Sequence, residues 1–186
     1  MSNNNLNGYN DKGEIIFEDY PDFRPNLTPH DIFARGSFGG TYWRPIISGI
    51  TGESYRNRHL LCPNEWWSDI PNTFLIQSQY DESINRYGVK VGSTLEEWET
   101  KGWILAQDPY GWVEWYCHFY AGRRSKDDKR QIRRWKRLAG QKGRFKAMLI
   151  SLIKRNKATY DDYTVSPKIR QTLQHWAYEI KPHDLR

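Results

Sequence analysis

Apolar residues in the C-terminal half of the chain recur at helical spacing, whereas those in the N-terminal half do not. In "DPYGWVEWYCHFYAG", Trp112, Val113, Trp115, Tyr116, Phe119 and Tyr120 cover most of a helix circumference. A helix opened by Asp108 and Pro109 and stopped by Gly122 is therefore predicted to lie at the centre of the fold. The next helix has Ser125 as its predicted cap, with Asp127 and Asp128 in the first turn, where negative charge suits the helix dipole. Its apolar positions, Ile132, Trp135 and Leu138, form a stripe only three residues apart. "RFKAMLISLIKRN" carries a broader apolar face of Phe145, Met148, Leu149, Leu152 and Ile153. Ser166 and Pro167 open a last helix in which Ile169, Leu173, Trp176 and Ile180 step by four, three and four.

Upstream the signals are local. Thr28, Pro29 and Gly36 predict a short helix over 29–35. "GSFGGTYWRPIISGITGESY" spreads five glycines among β-branched and aromatic residues, which predicts a strand, hairpin or shaped loop and excludes a helix. "NEWWSDI" and "YDESINRYG" read as helices of one or two turns, and "STLEEWETKG" places Ser93 and Glu96 at capping-box spacing with Gly102 as the stop. Residues 1–13, rich in Asn and Gly, are predicted to be a disordered lead-in to a single globular domain over 14–186. The expected fold is mainly α: a single helical domain with a small irregular or β element near residues 37–56.

Composition sharpens this picture. Nine Trp, twelve Tyr and seven Phe concentrate the apolar surface in large flat rings, which build a core or stack on bases. No apolar run approaches the roughly 18 residues of a membrane span, and the N-terminus lacks a leader pattern, so a soluble intracellular chain with no membrane partner is expected. Cys62 and Cys117 form no CxxC pair and are expected as two buried free thiols. His30, His59, His118, His175 and His183 show no HxxxH or HExxH spacing, so no metal site and no cofactor are predicted, and His118 reads as a satisfied core histidine. The glycine-rich segment lacks the GK[ST] of a nucleotide-cradling loop and is not a GxGxxG fingerprint.

Charge gives the strongest functional signal. Residues 123–157 carry fifteen Lys or Arg against two Asp, a balance of +13 in a chain whose total is only +6. Such a local positive field points to phosphates or an acidic protein surface. The expected contacts are Arg123, Arg124, Lys129, Arg130, Arg133, Arg134, Lys136, Arg137, Lys142, Arg144 and Lys146, with nucleic acid as the partner and DNA favoured over RNA. Six to ten phosphate contacts would cost on the order of 10³–10⁵ in affinity between 50 and 200 mM salt. Gly39 and Gly40 shape a loop presenting Phe38, Tyr42, Trp43 and Arg44, suited either to holding a base and its phosphate or to close packing of the chain against helices.

In "LAGQKGRFKAMLISLI", Leu138, Gly140, Gly143 and Ala147 resemble the helix-hairpin-helix pattern of DNA glycosylases, although two residues rather than one separate the glycines. That resemblance implies a hairpin turn at Gly140 and Gly143 whose backbone N–H groups approach a phosphate. It also implies a catalytic Asp after the hairpin, for which Asp161 and Asp162 in "TYDDYTVSP" are the candidates, while a stricter alignment on the last helix puts Ser166 there. Over residues 20–181, the blocks "RPNLTPHDIFARGSFGGTYWRPI", "YGVKVGSTLEEWETKGWI", "GWVEWYCHFYAGRRSKDDKRQIRRW" and "SPKIRQTLQHWAYEI" resemble a small uncharacterised family of intracellular proteins from eukaryotes and large DNA viruses. This second resemblance implies a single domain and no particular chemistry. Three functions are thus expected in order: a nucleic-acid-binding helical domain, a glycosylase-like enzyme acting on bases, and a structural or virion scaffold protein with a basic interaction face.

Overall fold

Thr28 opens the first helix through a reciprocal capping box: its side chain accepts the Asp31 N–H while Asp31 accepts the Thr28 N–H, and Pro29 takes the first helical position. This and five further α-helices organise the chain in a computed structural model that describes residues 8–186. They are α1 (Pro29–Ala34), α2 (Leu95–Thr100), α3 (Trp112–Tyr120), α4 (Asp128–Leu138), α5 (Arg144–Arg155) and α6 (Pro167–His175). The only sheet among the described residues is a two-residue ladder in which β1 (Ile46–Ile47) runs antiparallel to β2 (Ser54–Tyr55), with Ile46 opposite Tyr55. Short 3₁₀ turns connect the rest, so the fold is mainly α with a small β element, as predicted.

Helix α3 is the hub. Trp115, Tyr116, Cys117 and Phe119 are fully buried, and α1 and α4 pack against it. Phe17 and Phe23 bring the N-terminal segment onto this helix, Phe23 standing edge-on 5.0 Å from Trp135 of α4. α5 lies against α4 and α6, which closes the C-terminal half. Trp43, Trp67 and Phe33 fill the other side with tilted and edge-to-face rings, an arrangement that satisfies the ring quadrupoles where aliphatic residues are scarce.

Several boundaries differ from the sequence reading. Of the predicted lead-in, residues 1–7 lie outside the described residues, and 8–13 form a turn in which the Asn10 side chain accepts the N–H groups of Lys12 and Glu14. Capping of α2 falls on Thr94 and Glu97 rather than on Ser93 and Glu96. Residues 108–111 are a turn, and α3 begins only at Trp112 because Gly111 sits at φ 86°, outside helical space. α6 stops at His175, since Ala177 adopts φ 56° and the Tyr178 N–H returns to the Leu173 carbonyl, so Ile180 is buried beyond the helix. Met148, expected in the core, is exposed on α5.

Candidate functional site

The α4–α5 hairpin turns tightly at its two glycines. A Cβ on Gly143 would sit 2.6 Å from the Ala139 nitrogen, and one on Gly140 would sit 2.8 Å from the Lys136 carbonyl oxygen. Neither position tolerates a side chain without moving backbone.

The structure sorts the hairpin's cations into two groups. Five are neutralised by carboxylates, four of them outside the segment. Arg123 makes a bidentate pair with the buried carboxylate of Asp108, at 2.7 and 2.6 Å. Arg124 pairs with Asp19, Arg130 with Asp127, and Lys136 with Asp22. Lys146 is not a surface cation: it is 7% exposed, lies 2.7 Å from Asp184 and donates to the Tyr178 hydroxyl at 2.6 Å. By contrast, Lys129, Arg133, Arg137, Lys142 and Arg144 are exposed and have no carboxylate partner among the described residues. The second group gathers mainly at the end of α4 and the start of α5, where the first turn of α5 also carries no acid.

Arg134 belongs to neither group. Its guanidinium lies 5.2 Å from the Trp103 ring and 5.4 Å from the Trp176 ring, and donates to the Gln131 side chain at 3.0 Å. Desolvation, reinforced by the charge of Arg130, lowers its pKa to about 10, so it stays cationic at neutral pH. A charge held among indoles without a bound carboxylate favours an incoming anion.

Beside these cations opens a cavity of about 420 Å³. The rings of Phe38, Tyr42, Trp98, Trp103, Trp112, Phe145 and Trp176 form its walls, Arg134, Arg137 and Arg144 stand at one side, and no carboxylate lines it. The volume lies within the range of about 300–1,000 Å³ typical of small-ligand sites. A wider depression of about 670 Å³ on the far side of the hairpin interleaves Glu14, Asp22 and Asp184 with its lysines. Its cations stand beside those carboxylates, and Trp135 and Tyr178 are its large rings, so it is neither acid-free nor ring-walled.

Local backbone explains how Phe38 reaches the cavity. It adopts φ 55°, a left-handed conformation that costs a residue with a Cβ on the order of 1–3 kcal/mol. Gly39 and Gly40 follow at φ 56° and 76°, and a Cβ on Gly40 would strike the Thr73 carbonyl oxygen at 2.0 Å. The conformation is held from the other side by His175, whose ring stacks on Phe38 at 3.8 Å and whose Nε2 accepts the Phe38 N–H at 3.2 Å. Gln171 donates to the same nitrogen at 3.1 Å, an orientation fixed because its oxygen accepts the Tyr87 N–H. Nε2 is therefore the acceptor and the neutral ring carries its proton on Nδ1. Burial drives the His175 pKa down to about 3, so the ring stays neutral at physiological pH.

Of the other residues proposed for a base-holding loop, Tyr42 contributes a ring face while its hydroxyl bonds the Tyr110 carbonyl oxygen at 2.6 Å. Arg44 lines an adjoining cavity. Trp43 is fully buried in the core and lines neither. Asp161 and Asp162 also lie apart from the cavity. The Asp162 carboxylate closes the turn before α6 by accepting the Thr164 N–H and hydroxyl, and Ser166, at the N-cap position of α6 with no side-chain capping bond, does not line the cavity either.

Asp108, Glu114 and His118 converge within 4.8 Å of one another, but Arg123 occupies Asp108, and Arg58 with the Tyr110 N–H occupies Glu114. This is a charge-balanced internal network. Cys62 and Cys117 are both buried and free, Cys62 lying 3.8 Å from His118 Nδ1.

Trp98, Trp103, Trp112, Phe145, His175 and Trp176 are the site residues that spacing does not reveal. They come from four helices, the loop after α2 and the turn after α6, and each resembles an ordinary core ring within its own segment. No protein-family model, curated protein or solved structure matches the chain.

Proposed function

We propose that this protein binds nucleic acid in unpaired form, taking a base into the aromatic cavity while phosphates rest on Arg133, Arg134, Arg137 and Arg144. The observation carrying this reading is the coincidence of a ring-walled cavity with the hairpin's unneutralised cations. Every base has a π-face to offer the indoles, and stacking on aromatic side chains contributes about 1–3 kcal/mol per base. DNA is the favoured partner, although stacking and phosphate contact suit RNA as well. With no carboxylate lining the cavity and both Asp161 and Asp162 outside it, binding accounts for the geometry better than base excision does. No helix among the described residues is long and apolar enough to cross a membrane.

Four phosphate contacts give an expected slope of log affinity on log salt of about −3 for a single strand, roughly a 50-fold loss between 50 and 200 mM. Titration of short single-stranded DNA and RNA against tryptophan fluorescence tests the proposal. Arg137→Glu with Arg144→Glu should weaken binding at least tenfold and flatten the salt slope by about two contacts. Unchanged affinity at low salt in this double variant would sink it.

A further inference from the structure

The aromatic cavity does not end at Trp98. Phe38, Tyr42, Trp98 and the segment Val91–Ser93 form a wall shared with a second cavity of about 300 Å³. This second chamber adds the Tyr80 ring, rests on the buried Tyr110, and has its own cations, Arg44 and Lys90. Lys90 is exposed, sits 5.1 Å above the Tyr80 ring and has no carboxylate partner among the described residues. Arg44 spends one guanidinium nitrogen on the Thr41 carbonyl oxygen at 3.1 Å. Glu97, the acid at this chamber, is engaged in the α2 capping box with Thr94. Each chamber thus combines rings with cations of its own, and the two chambers meet at the shared wall.

We infer that the groove is built for two consecutive unpaired nucleotides, one base in each chamber and a phosphate at either end. Charge complementarity and the doubled ring set select this occupant. A single nucleotide leaves Arg44 and Lys90 without an anion, and a duplex cannot present two base faces to separate aromatic chambers. The inference rests on the reading of the first cavity as a base site, and it adds the length of the ligand.

Fluorescence titration with a mononucleotide, dinucleotide, trinucleotide and hexanucleotide of thymidine, each phosphorylated at both its 5′ and 3′ ends, separates the alternatives. The dinucleotide should bind about 5- to 150-fold tighter than the mononucleotide, the gain expected of one further stacked base. A third nucleotide should add no more than about twofold, and a hairpin duplex without overhangs should compete poorly. Lys90→Glu, an exposed change outside the first chamber, should shrink the dinucleotide-to-mononucleotide affinity ratio about fivefold or more. A dinucleotide no tighter than the mononucleotide overturns the two-base assignment and leaves the base-site reading standing. A steady gain at every added nucleotide, insensitive to Lys90→Glu, overturns it too, because that pattern belongs to a diffuse charged surface. Absence of any nucleotide binding overturns both.

Discussion

Acidification should destabilise this protein through one buried ring. His175 accepts the Phe38 N–H and a Gln171 N–H at the same nitrogen, so adding a proton there removes the acceptor that holds Phe38 in its left-handed conformation. Its pKa falls from an ordinary value near 6.5 to about 3 in the fold. A depressed histidine pKa means the unfolded chain binds the proton first; the stabilisation is complete above pH 6.5 and is lost as pH falls toward 3. At pH 5.0, 1.5 units below the unfolded value, the loss is about 2 kcal/mol. For an urea dependence of about 2 kcal/mol per molar, this moves the unfolding midpoint by about 1 M. The assay is urea denaturation at pH 7.0 and 5.0 for the wild type and for His175→Gln, whose side-chain oxygen can accept the same N–H. The variant should start less stable and lose about 2 kcal/mol less on acidification. His59, also depressed by burial, contributes in the same direction but is common to both proteins and cancels. Glu179 is held down to about 2 by Lys181 and Arg86 against the opposing effect of burial, and titrates below this window. Equal pH losses in the two proteins would refute the assignment of Nε2 as the acceptor that sets the loop.

Three further changes test how the hairpin divides its cations between stability and binding. Lys146→Met leaves Asp184 buried beside Tyr178 without its counter-ion and should cost about 3–5 kcal/mol, seen as a fall of about 10 °C in Tm. Arg123→Met strands the buried Asp108; because the guanidinium is 31% exposed, the loss should be smaller, on the order of 2 kcal/mol, and the salt slope of oligonucleotide binding should not change. Gly143→Ala forces a Cβ against three backbone atoms within 2.7 Å and should cost about 1–3 kcal/mol, with thermal unfolding as the readout.

The elements legible in the sequence are those whose determinants are neighbours in the chain. Thr28, Pro29 and Asp31 specify α1 among themselves, and the two-glycine turn of the hairpin follows from close contacts within eight residues. The capping of α2 slipped by one residue because Ser93–Glu96 and Thr94–Glu97 offer the same chemistry in adjacent registers. Distance in the chain obscured the rest. Asp19 and Asp22, which neutralise Arg124 and Lys136, lie more than a hundred residues upstream. No local pattern connects Trp98 and Trp103 to Trp176, nor reveals that Trp43, the residue after the cavity ring Tyr42, faces the core.

That long-range pairing changes what the +13 segment means. Read as a run, it resembles a phosphate-binding surface along a whole helix; folded, it divides by partner. Arg123, Arg124, Lys136 and Lys146 fasten the segment to Asp108, Asp19, Asp22 and Asp184 of the acidic remainder of the chain, whereas Arg130 pairs with Asp127 at the start of its own helix. Fastening fixes the hairpin's orientation and places Arg137 and Arg144 at the cavity, with Arg133 on the same face of α4 one turn before Arg137. The same charge excess therefore has two consequences. Its paired part ties the hairpin to the rest of the fold, and its unpaired part leaves net positive charge beside the cavity.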